Sequence, residues 1–242
     1  MTTIVRRPRG TTNGGEFAAH ARDAASVELK PQVPDLAGIA APQVVLEGLT
    51  HVGTFDPRAK GSWSLEGRGL SVSQHPEDWA GIARLTGETW AFPDAGHPLL
   101  DYHELTAEQR GAISAFGIDR GYVNEVPAWE ISAWDDEWEQ ERISVFLDED
   151  DAAEEADEQG GEVREIRTLV ATSTFPDSTV KPGSSDVEQI LATVWVEEQA
   201  PGLHGVWWQD DYDPDRLSAP RGVIAASKIG DWIASATPAE VD

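Results

Sequence analysis

The chain has 242 residues, of which 40% are hydrophobic, and a formal net charge of −26. It is therefore long enough and apolar enough to bury a core, and it is not a wholly disordered acidic protein. It contains no cysteine, which excludes disulfides, thiolate catalysis and cysteine-ligated zinc.

The sequence contains no apolar run near the roughly 18 residues of a membrane span. It also shows no charged-then-apolar signal segment. We therefore expect a cytoplasmic protein that makes no membrane contact.

The first 43 residues are predicted to be a flexible N-terminal arm. Arg6, Arg7 and Arg9 make its start basic, and three prolines between positions 31 and 42 interrupt any periodicity. The rest of the chain, 44–236, is predicted to be a single domain of the kind that carries catalysis.

Hydrophobic periodicity, turn residues and capping boxes predict the elements of this domain. In chain order they are strand 44–52, strand 69–73, helix 76–85, strand 88–92, helix 106–119, strand 129–134, strand 143–147, strand 163–172, helix 185–199, strand 204–208, strand 221–225 and a short helix at 231–233. Strands outnumber helices, and the helices are interspersed singly. This order is typical of an α+β fold with a mixed or antiparallel sheet.

The acidic charge is concentrated in one segment. Residues 130–165 hold 16 acidic and two basic side chains, a net −14, and the other 206 residues together carry −12. Such uneven charge favours a local insertion or a partner-binding surface over a halophilic adaptation. The run 148–161, with eight acids, is predicted to be a solvated loop at the tip of a hairpin.

The extreme charge also limits the kinds of partner. A chain this acidic is not expected to bind nucleic-acid phosphates non-specifically. The 130–165 region is instead a candidate surface for a basic protein partner.

Two short segments carry the candidate chemistry. The first is Thr50-His51-Val52-Gly53-Thr54, and the second is Gly67-Arg68-Gly69-Leu70-Ser71-Val72-Ser73, which runs into the helix at Pro76. Glycine lets backbone approach a ligand closely, so such strands are suited to line a cleft. The alternatives are a structural histidine and a simple turn before a strand.

The two segments, in this order, resemble the ADP-ribosyltransferase fold of the poly-ADP-ribose-polymerase-like kind, in which NAD lies in a cleft of a split sheet. The resemblance implies that NAD is the substrate and that the cofactor-binding residues are His51, Gly53, Thr54, Gly69, Ser71 and Ser73. It implies that His51 binds the ribose of the nicotinamide half and that Gly53 offers backbone contacts to the nicotinamide amide. Ser71 and Ser73 would lie near the nicotinamide.

The match departs from the family at two points. An extra residue separates His51 from Gly53, and Ser71 stands where the family often has tyrosine. The predicted replacements for that aromatic ring are Trp63, Trp79 and Tyr102.

The proposed reaction needs a carboxylate. Cleavage of the nicotinamide glycosidic bond passes through an oxocarbenium-like state that a nearby negative charge stabilises. The family's catalytic glutamate sits on a late strand, so the candidates are Asp210 and Asp211, with Glu66 as an outside choice. Solvated turns remain the alternative interpretation of these acids.

Arg221 is a further candidate, because a guanidinium can hold a pyrophosphate through two parallel hydrogen bonds. An internal salt bridge is the alternative for this residue. No metal-ligand spacing is evident among the histidines, so no metal is expected.

Three functions follow from the sequence. The first is an NAD-dependent ADP-ribosyltransferase-like enzyme, of the kind found in bacterial or phage effectors and toxins, that acts on an unknown acceptor. The second is an acidic DNA mimic or inhibitor that occupies a basic, nucleic-acid-binding partner. The third is a structural or accessory protein of a mobile element.

Overall fold

In a computed structural model, the chain divides into two compact units, Met1–Gln32 and Val33–Asp242. The structure describes residues 4–6, 17–19, 34–53, 55, 69–83, 85–93, 96–135, 140–177, 180–185, 187–209 and 219–239. In the first unit, β1 (Ile4–Arg6) pairs antiparallel with β2 (Phe17–Ala19). The second unit begins about ten residues before the predicted domain start at 44, so the end of the predicted arm belongs to it.

The second unit holds the other strands and the helices. The strands are β3 (Asp35–Leu36), β4 (Ile39–Ala40), β5 (Gln43–Val45), β6 (Thr50–Val52), β7 (Gly69–Ser73), β8 (Thr89–Ala91), β9 (Pro98–Asp101), β10 (Val123–Asp135), β11 (Gln140–Phe146), β12 (Glu162–Ala171), β13 (Gly205–Gln209), β14 (Arg221–Ala225) and β15 (Thr237–Pro238). The helices are α1 (Pro76–Ala83), α2 (Ala107–Asp119), α3 (Glu149–Gln159), α4 (Glu188–Gln199) and α5 (Ile229–Ser235). The predicted α+β class is confirmed.

Among the described residues, eight strands form one mixed sheet in the order β15–β8–β6–β7–β14–β13–β9–β5. Strand β13 runs parallel to β9, and the other neighbours in this sheet are antiparallel. No helix in the described part of the chain is long and apolar enough to cross a membrane.

Consecutive residues of the central strands supply the core on both faces of this sheet, as the two-residue period of a strand requires. Trp208 and Val223 belong to a buried cluster with residues of α2 and α4. Their neighbours Trp207 and Ile224 belong to a second cluster, which includes Trp232 of α5. The sheet is therefore covered by helices on both faces.

The acidic region has a different structure from the one predicted. Strands β11 and β12 both pair with β10 and not with each other, so the predicted hairpin is a three-stranded sheet with order β11–β10–β12. The predicted solvated loop at 148–161 is wrong, because residues 149–159 form helix α3.

Local interactions explain why this acidic run is helical. The Asp148 side chain accepts hydrogen bonds from two backbone N–H groups of the first turn, and Gly160 ends the helix in the left-handed conformation at φ 70°. Ala152 and Ala156, one turn apart, pack with Ile131 and Ala133 of β10. Small alanines between acids give only a weak apolar signal in a sequence, which is why the helix was missed.

Candidate functional site

The two predicted segments lie side by side in the large sheet. Thr50 of β6 is paired with Ser73 of β7, Ser73 with Arg221 of β14, and Arg221 with Gln209 of β13. These four residues form one row across four neighbouring strands, which we call the site row. Neighbouring strands are about 4.8 Å apart, so the row is about 14 Å long.

His51 follows Thr50, the residue of β6 that belongs to the site row. Its side chain is buried, with 1% of the residue's surface exposed. Its Nδ1 lies 2.8 Å from the carbonyl oxygen of Ser71. Because a carbonyl can only accept, Nδ1 carries a proton, and in the neutral form of such a ring the lone pair is at Nε2. The ring stacks on Phe55 with 5.5 Å between centroids.

Ser71 and Ser73 hold neighbouring elements together. The Ser71 Oγ accepts a 2.6 Å hydrogen bond from the indole N–H of Trp79 in α1. The Ser73 Oγ donates to the carbonyl oxygen of Pro220 and accepts from the backbone N–H of His75. The described contacts of both hydroxyls are therefore internal, and they fix α1 and β14 to β7.

Gly53 has both of its backbone groups bonded within the protein. Its N–H donates to the Glu88 carbonyl at 2.9 Å, and its carbonyl accepts from the Trp90 indole N–H at 3.1 Å. A nicotinamide amide bound at Gly53, as the resemblance implies, would have to exchange for these two bonds.

Packing against the neighbouring strand β14 explains the glycine at position 69. A Cβ at this position would lie 1.9 Å from a methyl carbon of Val223 and 2.5 Å from the carbonyl oxygen of Ile224. The close approach at Gly69 is therefore made by the neighbouring strand β14.

Arg221 is half-buried at the start of β14. Its guanidinium carbon lies 4.9 Å from the centroid of the Trp79 ring, a cation–π arrangement. Trp79 is thus the predicted aromatic substitute that lies at the site row. Tyr102 lies elsewhere, and Trp63 is outside the described residues.

The catalytic candidates Asp210, Asp211 and Glu66, together with Thr54, also lie outside the described residues. In the sequence, Asp210 follows directly on Gln209, the last residue of the site row.

A small cleft was not predicted from the sequence. A cavity of about 70 Å³ is lined by residues that include Tyr102, Arg110, Ser114 and Glu188. The Arg110 guanidinium donates to the Tyr102 carbonyl at 2.8 Å, and its carbon lies 4.3 Å from the Tyr102 ring centroid.

The ionisable side chains that line this cleft act on one another. Burial raises the pKa of the Tyr102 hydroxyl, the Glu188 carboxylate raises it further, and the Arg110 guanidinium opposes both. No pattern in the sequence indicated the pairing of Arg110 with Tyr102.

A pair of histidines packs on α5. The rings of His97 and His204 are nearly parallel, with 4.0 Å between centroids, and the Trp232 indole N–H donates to His204 Nδ1 at 2.9 Å. Burial, with help from His97 and Lys228, lowers the pKa of His204 to about 4, and Asp231 opposes this shift. The neutral ring accepts the indole hydrogen bond, which a protonated Nδ1 cannot do.

A pH-dependent loss of stability follows from this arrangement. The folded pKa lies below the ordinary value of 6.5, so the stabilisation is present above about pH 6.5 and is lost as the pH falls toward 4. Because His204 is only partly buried, we expect about 1–2 kcal/mol over this window after discounting for solvent screening. His204→Asn, which keeps an acceptor for Trp232, should show a shallower fall in unfolding free energy from pH 7 to pH 4.

The matched control is His103→Asn, because His103 is exposed in the turn after β9. It should follow the wild-type pH profile. Equal profiles for the two variants and the wild type would show that His204 does not contribute.

Within the described part of the chain, no group of three or more histidine, aspartate or glutamate side chains is arranged to hold a metal ion. Comparison with known proteins gives no match to a family model, to a curated protein or to a solved structure.

Proposed function

We propose that the chain is an ADP-ribosyltransferase-like enzyme that binds NAD with its nicotinamide half beside His51, where β6 and β7 meet. The observation that supports this proposal is the site row. Two segments that the resemblance treats as parts of one NAD site are adjacent strands in the sheet, where the contacts Thr50–Ser73 and His51–Ser71 join residues 23 and 20 apart in sequence.

The chemistry of the proposal assigns each group a task. In this proposal the His51 ring, which is buried in the free protein, becomes accessible when NAD binds, and its Nε2 accepts a hydrogen bond from a ribose hydroxyl. The Arg221 guanidinium binds the pyrophosphate. Binding in this way fixes the ribose before the glycosidic bond breaks.

The carboxylate that faces the developing positive charge is assigned to Asp210 or Asp211. The backbone of Gln209, which precedes Asp210, lies two strand spacings from Ser73, which is about 10 Å. That separation is within reach of a nicotinamide riboside bound between them. Glu66 is the other candidate for this role.

The test is nicotinamide release from NAD by the full chain, with and without a mixture of candidate protein and nucleic-acid acceptors. The proposal predicts release above the uncatalysed rate and binding of NAD in the micromolar to millimolar range. If the chain neither binds nor consumes NAD under any of these conditions, the proposed function is contradicted.

Binding of a basic partner is a second candidate function, which one observation favours. Helix α3 carries seven acidic residues and no basic residue, and it lies in the part of the chain that holds most of the negative charge. A role as an accessory protein of a mobile element stays a prediction, which a stable, ligand-free oligomer would favour.

A further inference from the structure

The three-stranded sheet has an edge strand that is regular and open to addition. Strand β11 pairs with β10 through seven consecutive residue pairs without a bulge, and among the described residues no other strand pairs with β11. The outer edge of such a strand presents backbone N–H and C=O groups that can pair with another chain.

An apolar strip runs along this edge. Directly opposite residues share a face, so the pairing of Trp134 with Glu141 puts Trp134 on the same face as Ile143 and Val145, and Leu147 follows at the next alternate position. The exposed fractions of these four side chains are 63%, 60%, 38% and 44%. Helix α3 packs on the opposite face, against Ile131 and Ala133.

The other edge of the same sheet is protected. Strand β12 carries Glu162, Arg164, Glu165 and Arg167 in its first six residues. Arg164 is 2.7 Å from Glu130, and Arg167 is 3.2 Å from Glu125. Charged side chains are a common way to block strand addition. Strand β11 carries Glu141 and Arg142 near its start, but residues 143–147 carry no charge, so this part of its edge differs from β12.

Charge decides which occupant fits the β11 edge. Residues 123–171 hold 17 acidic and three basic side chains, a net −14. A second copy of this chain would bring the same charge to the contact and be repelled, whereas a cationic segment would be attracted.

We propose that β11 takes up an extended, cationic segment of a partner protein as a fourth strand. Backbone hydrogen bonds to β11 supply affinity, apolar side chains of the partner cover Ile143 and Val145, and its basic side chains face the acidic surroundings. This surface is separate from the site row, so the proposal does not depend on NAD chemistry.

The probe is a labelled peptide of four Lys-Val repeats, with its binding to the full chain measured by fluorescence anisotropy. We expect binding that weakens at least tenfold between low and high salt, as screening of the charges requires, and slower amide hydrogen exchange at 140–147. The same peptide with every backbone nitrogen methylated keeps its charge and side chains but cannot add as a strand, so it should not bind.

Variants of the chain distinguish strand addition at β11 from non-specific attraction of a cationic peptide by the acidic surface. Ile143→Thr with Val145→Thr should weaken binding about tenfold. The matched control Val163→Thr, on the protected strand and also exposed, should have no effect. Glu154→Gln, Asp157→Asn and Glu158→Gln together, which spare the buried alanines of α3, should weaken binding and reduce its dependence on salt.

Three results would overturn the proposal. One is equal binding of the methylated peptide, and another is unchanged binding by the Ile143 and Val145 double variant. The third is a large gain in binding when Arg6, Arg7 and Arg9 are replaced by glutamine, because it would identify the chain's own N-terminal segment as the occupant.

Discussion

Replacing His51 with asparagine is expected to lower nicotinamide release from NAD by about 100-fold while leaving the chain folded. The asparagine amide can keep the hydrogen bond that Nδ1 makes to the Ser71 carbonyl, but it has no group at the position of Nε2. The variant therefore removes the proposed ribose contact and keeps the hydrogen bond to Ser71, although it loses the stacking of the imidazole on Phe55.

His51→Ala removes both contacts and should show the same loss of turnover. It should also lower the unfolding free energy by about 1–3 kcal/mol, because the buried carbonyl of Ser71 loses a partner. Rates are measured by nicotinamide release and stability by urea unfolding. If His51→Asn keeps turnover within threefold of the wild type, the histidine has only a structural role.

Replacing Gly69 with alanine is expected to lower the stability of the protein strongly. The added Cβ would overlap a Val223 methyl and the Ile224 carbonyl at the centre of the sheet, and a backbone oxygen cannot move aside as a flexible side chain can. Overpacking of a core costs about 1–3 kcal/mol, and backbone overlap raises this, so we expect at least about 3 kcal/mol.

Gly111→Ala in α2 is the matched control for Gly69→Ala. A Cβ there meets no atom within 4 Å, and alanine is the better helix former, so stability should rise by up to about 1 kcal/mol. Urea unfolding of the two variants separates the positions. Loss of under about 0.5 kcal/mol in Gly69→Ala would show that β7 and β14 can separate at this point.

The sequence predicted those parts of the fold that have strong periodicity or caps. The helices that begin near 76, 106 and 187 and the strands at 69–73, 204–208 and 221–225 are present, and so is the α+β class. Strand β9 and the full length of β10 were missed, because pairing partners distant in sequence decide where a strand ends. Helix α3 was missed because its buried face consists of two alanines.

For the candidate site, the sequence predicted which segments lie close together but not the hydrogen bonds that their residues make. The resemblance led to the expectation that His51 and the segment from Gly69 to Ser73 are close, and they are adjacent in the sheet. It could not predict that Ser71, Ser73 and Gly53 make internal hydrogen bonds. Those bonds depend on Trp79, Pro220 and Glu88, which come from other elements.

Nicotinamide release from NAD is the most direct test of the proposed function, when wild type and His51→Asn are compared at equal concentration. The account predicts turnover by the wild type and about 100-fold less by the variant, with urea unfolding used to show that both chains are folded under the assay conditions. No release by the wild type with any acceptor, together with no binding of NAD at millimolar concentration, would contradict it.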